Sequence, residues 1–127
     1  MNRLGPTSRE KALVLLVDDC DDSREMYAEF LSSEFDIAQA GSGAEALAKA
    51  TEMYPDAIVM DMGLPDMPGE EAISKLRMDE RTRKIPVVVV SGFAEPGRAE
   101  RMWDAYMTKP CRPDVLTDCI GKILANR

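Results

Sequence analysis

Four apolar runs of the chain each end in a polar group that could take part in chemistry. The first ends in Asp18-Asp19 and continues into Cys20-Asp21-Asp22, another ends in Asp61, another in Ser91-Gly92, and the last in Lys109-Pro110. Three carboxylates brought within a few ångströms repel one another unless a cation sits among them, and oxygen ligands alone favour a hard ion such as Mg²⁺. Magnesium keeps part of its water and often joins carboxylates to a phosphate, so a phosphoryl group is the expected guest. Lys109 offers it a point positive charge and Ser91 a hydroxyl donor. Taken singly, each has a plainer reading: a solvated acidic loop that caps a helix, a turn serine, a surface lysine. Chance would have to place an acidic pair, a single acid, a hydroxyl and a lysine at four run ends.

The elements that must position these groups alternate along the chain. Ala12 to Val17, Asp36 to Ala40, Ala57 to Met60, Pro86 to Val90 and Ala105 to Thr108 read as strands, three of them continuous apolar runs of the kind buried on both faces of a sheet. Between and after them lie five helical segments. Asp22 to Glu34 carries the stripe Met26, Tyr27, Phe30 and Leu31, and Ser42 with Glu45 forms a capping box that opens a helix to about Tyr54, before Pro55. Glu70 to Met78 and Glu95 to Trp103 follow. Pro113 to Ala125 closes the series, with Pro113 suited to the first turn and a stripe of Val115, Leu116, Cys119, Ile120, Ile123 and Leu124. Five strands alternating with five helices predict an α/β fold, a parallel sheet covered on both faces, whose ligands bind beyond the carboxyl ends of the strands where the strand order reverses.

At 127 residues the chain suits one domain, here 12–127, with 1–11 as a flexible lead-in. Sixteen basic against 23 acidic residues give a net charge of −7, which speaks against direct binding of nucleic acid. The absence of His excludes Ser-His-Asp and Cys-His sites and every His-based metal motif. Three cysteines at these spacings suit neither a zinc ribbon nor a disulfide framework, which suggests a reducing compartment. No run approaches the ~20 apolar residues of a membrane span, and the expected location is cytoplasmic.

From Ala12 to Leu124 the sequence resembles the receiver domains of two-component response regulators, of the chemotaxis-regulator type. The resemblance rests on Val17-Asp18-Asp19, the segment from Asp61 to Gly69, the strand Val87 to Gly92 with its hydroxyl, and Tyr106-Met107-Thr108-Lys109-Pro110. It implies a flavodoxin-like sheet of strand order 2-1-3-4-5. It also implies that Asp61 is the phosphoacceptor, taking a phosphoryl group from a phosphohistidine of a sensor histidine kinase or histidine phosphotransfer protein. Asp19, Asp61 and the backbone carbonyl of Gly63 would then be direct Mg²⁺ ligands, with Asp18 acting mainly through water. Ser91 and Lys109 would bind phosphoryl oxygens, a cis bond would lead into Pro110, and Ser91 with Tyr106 would form the switch. Such domains catalyse their own phosphorylation and dephosphorylation without being conventional enzymes. The chain runs out soon after its last helix, so no output domain follows within it. A stand-alone regulator and a receiver cut from a longer protein are both open, as is a dimer formed on phosphorylation.

Two departures from that family stand out. Ser91 and Lys109 are 18 residues apart, about one helical turn short of the family's usual spacing, so the helix at 95–103 is expected to be shortened or displaced, the more so with Pro96-Gly97 near its start. Phe93, two residues past Ser91 and opposite a small Gly63, is expected to screen the aspartyl phosphate at Asp61 partly from water. Three rival readings remain. Gly41-Ser42-Gly43 with Ala46 matches a loose dinucleotide fingerprint and has Asp61 20 residues beyond Gly41, the pattern of a Rossmann-like nucleotide binder. A haloacid-dehalogenase-like phosphatase would need an acid where Gly63 stands. A docking module independent of phosphorylation would not need the complete acidic, hydroxyl and lysine set.

Overall fold

The computed structural model describes residues 11–96 and 102–126. Five parallel strands, β1 (Leu13–Val17), β2 (Asp36–Ala40), β3 (Ala57–Asp61), β4 (Val87–Ser91) and β5 (Ala105–Thr108), form one sheet of order β2-β1-β3-β4-β5. Every residue of β1, β3 and β4 is buried, as their unbroken apolar runs require when helices cover both faces. The two-residue period of a strand sorts them. Val14, Leu16, Val59, Val88 and Val90 face α1 (Asp21–Leu31) and α4 (Pro113–Ala125), where Tyr27, Leu31, Leu116 and Ile120 meet them. On the opposite face Leu15, Val17, Ile58, Met60 and Val89 pack on Ala46 and Ala50 of α2 (Gly43–Met53) and Ala72, Ile73 and Leu76 of α3 (Gly69–Met78).

Several boundaries move by a few residues. α1 stops at Leu31, where the Ser32 and Ser33 hydroxyls turn back to donate to the carbonyls of Glu29 and Phe30, competing with continuation of the helix. Its buried face is Tyr27, Ala28 and Leu31. Met26 and Phe30 of the expected stripe are nearly half exposed, and so is Val115 of α4. Ser42 caps α2 by accepting from the Glu45 N–H, but the Glu45 carboxylate takes the N–H of Gly41 rather than closing the reciprocal bond onto Ser42. α2 ends at Met53, and its cap Tyr54, whose φ of 50° lies in the left-handed region, stands just before Pro55. Pro113 is the first residue of α4, as its fixed φ suits.

The helix expected over 95–103 falls largely on 97–101, outside the described residues, as does most of the lead-in. At its flanks Glu95, Pro96, Met102 and Trp103 are not helical, and the described residues hold four helices. Trp103 is instead buried in the α2/α3 face, its indole N–H donating to the Glu95 carboxylate at 2.8 Å. Beside it Arg77 donates to the carbonyls of Met102, Arg83 and Ile85, so the return into β5 is tied to the end of α3. No helix among the described residues is long and apolar enough to cross a membrane.

Candidate functional site

β1 and β3 are neighbours, yet their onward connections pass to opposite sides of the sheet, and this is where an open α/β sheet leaves a crevice. The register aligns Leu16 with Val59 and Val17 with Met60, so the next step along each strand sets Asp18 beside Asp61. One carboxylate oxygen from each of Asp18, Asp19 and Asp61 lies within 4.8 Å of the other two. Asp18 and Asp61 are buried, while Asp19 stands at the exposed rim.

Each buried carboxylate is held. Asp61 accepts from the Gly63 N–H at 3.0 Å through one oxygen and from Lys109 Nζ at 3.1 Å through the other. Asp18 accepts from the Cys20 N–H at 2.9 Å and from the Ser23 hydroxyl. Burial pushes Asp18 above the ordinary carboxylate range, the bonds from Cys20 and Ser23 oppose that rise, and the charge of Asp61 adds to it. Burial pulls the Lys109 ammonium down, but its hydrogen bond and ion pair with Asp61 more than restore it, leaving it above its ordinary value. Three negative charges against one positive leave two uncompensated, the charge of a divalent ion. An all-oxygen donor set suits Mg²⁺.

Without such an ion the site costs stability. Asp18 is raised in the folded state, so the fold loses stability as pH rises from the ordinary carboxylate value of 3.8 through the raised one. Asp18→Asn keeps the acceptor oxygen and removes the charge. It is expected to raise Tm by a few degrees at neutral pH in chelator, and to lose that advantage as Mg²⁺ is added. Thermal melts with and without the ion check this.

Ser91 is buried, and its oxygen accepts from the Phe93 N–H at 3.1 Å, which leaves the hydroxyl proton for another partner. It lies one step beyond Val90, the register partner of Asp61. The Lys109 N–H donates to the Ser91 carbonyl at 2.7 Å, and the bond from Lys109 to Pro110 is cis. Tyr106 sits half-buried on β5, its ring 5.5 Å from that of Trp103. Its hydroxyl donates to the Phe93 carbonyl at 3.0 Å, an anchor that the sequence did not suggest. Phe93 is 81% exposed.

The dinucleotide reading fails at the start of α2. The N–H groups of Gly43 and Ala44, which would have to cradle a pyrophosphate, donate to the two carboxylate oxygens of Asp66 at 2.8 and 2.9 Å. Those bonds hold Asp66 below its ordinary range. Gly41 and Gly43 therefore serve as a turn and a helix entry, latched to the loop that follows Asp61. Asp66 escaped the sequence reading because its partners lie over twenty positions away. Arg24 escaped it too, although its place three residues after Asp21 in a helix hints at the ion pair it makes there at 2.8 Å.

The response regulator receiver domain family matches residues 14–121. Polar-differentiation response regulator DivK of Brucella ovis is 36% identical over 102 residues, covering 76% of this chain and 83% of that protein. Among solved structures, a CheY-like response regulator receiver domain protein from Methanospirillum hungatei superposes with a TM-score of 0.82 at 25% identity, covering 92% of this chain and 96% of that one. Chemotaxis protein CheY4 of Vibrio cholerae gives a TM-score of 0.80 at 28% identity, covering 89% and 98%. The family match runs from β1 into α4 and so takes in every strand end that carries the carboxylates, the hydroxyl and the lysine; the chain belongs to the response regulator receiver domains of two-component signalling.

Proposed function

We propose that this domain, residues 12–127, takes a phosphoryl group onto Asp61 from a phosphohistidine of a sensor kinase or phosphotransfer protein in the cytoplasm. The observation that carries the reading is the meeting of Asp18, Asp19 and Asp61 within 4.8 Å, with Lys109 already bonded to Asp61. A carboxylate oxygen of Asp61 attacks phosphorus in line, the P–N bond breaks, and its electron pair leaves on the imidazole nitrogen. As the transferring group arrives, Lys109 passes from the carboxylate to a phosphoryl oxygen, and the Ser91 hydroxyl donates to another. Asp19, Asp61 and the backbone carbonyl of Gly63 would hold Mg²⁺, with Asp18 acting mainly through water; the ion supplies neutralisation of the charge that gathers on the transferring oxygens. Hydrolysis later releases phosphate and restores the carboxylate.

The new charge at Asp61 draws Ser91 towards it, and the space that Ser91 leaves admits the Tyr106 ring once its hydroxyl gives up the Phe93 carbonyl. That movement changes the face a partner meets. Intact mass after incubation with Mg²⁺ and acetyl phosphate tests the acceptor chemistry: one phosphoryl increment is expected, none in chelator, and the absence of any increment overturns the reading. Lys109→Gln keeps a donor but loses the charge. It is expected to slow phosphorylation from acetyl phosphate about tenfold, read as the rate of gain of the phosphorylated mass.

A further inference from the structure

Arg24 makes three directed side-chain contacts beside the carboxylate site, although no role in that site has been assigned to it. It lies in the first turns of α1 with its side chain 15% exposed, and its three guanidinium nitrogens reach three elements. Nη1 donates to the Asp18 carbonyl at 2.6 Å, Nε to the Gln39 side-chain oxygen on β2 at 3.0 Å, and Nη2 to the Asp21 carboxylate at 2.8 Å. The planar fork fixes all three directions together.

The carbonyl that Nη1 holds belongs to the peptide plane that carries the N–H of Asp19, so fixing that oxygen fixes the plane from which Asp19 rises. Asp18 and Asp61 have their carboxylates held directly. The Asp19 carboxylate has no hydrogen-bond or ion-pair partner among the described residues, and its direction depends on its backbone. We propose that Arg24 is a positioning residue that aims Asp19 at the shared ion by clamping the Asp18 carbonyl, with Gln39 bracing the clamp from β2. The proposal rests on the reading of the acidic cluster as a divalent-ion site.

Charge and positioning predict opposite signs, which makes the test decisive. Deleting a cation beside three carboxylates would by Coulomb's law tighten Mg²⁺ binding; loss of positioning weakens it. By titration calorimetry on the intact chain, Arg24→Gln is expected to raise the Mg²⁺ dissociation constant about tenfold, the usual scale for a residue that orients a ligand from behind. Arg24→Lys keeps the charge without the fork and is expected to recover only part of the affinity. Gln39→Ala leaves Arg24 in place and is expected to weaken binding in the same direction by less. Binding by Arg24→Gln that equals or exceeds the native affinity overturns the proposal. Should that variant fail to fold, Gln39→Ala decides, and native affinity there overturns it equally. Failure of the native chain to bind Mg²⁺ would sink the underlying site reading instead, so the two failures are distinct.

Discussion

Asp61→Asn is expected to gain no phosphoryl mass under conditions that modify the native chain completely. An amide oxygen carries no charge and is too weak a nucleophile to displace nitrogen or oxygen from phosphorus. The substitution is otherwise mild. The amide keeps the size of the carboxylate, its oxygen can still accept from the Gly63 N–H, and β3 keeps its register with β1 and β4. Loss of function with retained folding is therefore the expected pair of results, read by intact mass and by thermal melting. Persistence of the increment in Asp61→Asn would transfer the acceptor role to Asp18 or Asp19.

The second large effect is structural and acts on the same strand end. Gly69 opens α3 with its N–H bonded to the Met62 carbonyl at 3.0 Å. A Cβ placed there would stand 2.7 Å from Met62 Cα and 3.0 Å from the Asp61 carbonyl oxygen, both backbone atoms that no rotamer change can move. Gly69→Ala must push α3 away from the sheet or displace the backbone that carries Asp61 and Gly63. A cost of about 2 to 3 kcal/mol is expected, seen as a lower midpoint in urea, together with slower phosphorylation. Gly92→Ala is the control, because a Cβ there meets nothing within 4 Å. Equal midpoints for the native chain and Gly69→Ala would show that the turn relaxes freely.

The architecture was legible because three strands lie buried on both faces and so leave unbroken apolar runs, and because helices end at Pro55 or begin at Pro113. The acids, Ser91 and Lys109 were legible for a related reason: a polar residue at the carboxyl end of a parallel strand emerges at one edge of the sheet. Side chains that bridge elements left no such trace. Arg24 touches β2, its own helix and the residue that follows β1, and Asp66 caps a helix from a distant loop, so neither shows a local period. The exposure of Met26 and Phe30 was hidden as well, since a stripe on a helix tells where contact can occur and not how wide it is. Trp103 looked like the last residue of a weak helix, yet it packs into the α2/α3 face.

That tryptophan is the sole indole of the chain, 6% exposed, and it lies against Tyr106, the ring assigned to the switch. Its emission colour and lifetime thus come from one spot, on the face where signalling would be read. The protein carries a native optical label beside Tyr106, and the movement proposed for that ring would be followed without attaching a dye.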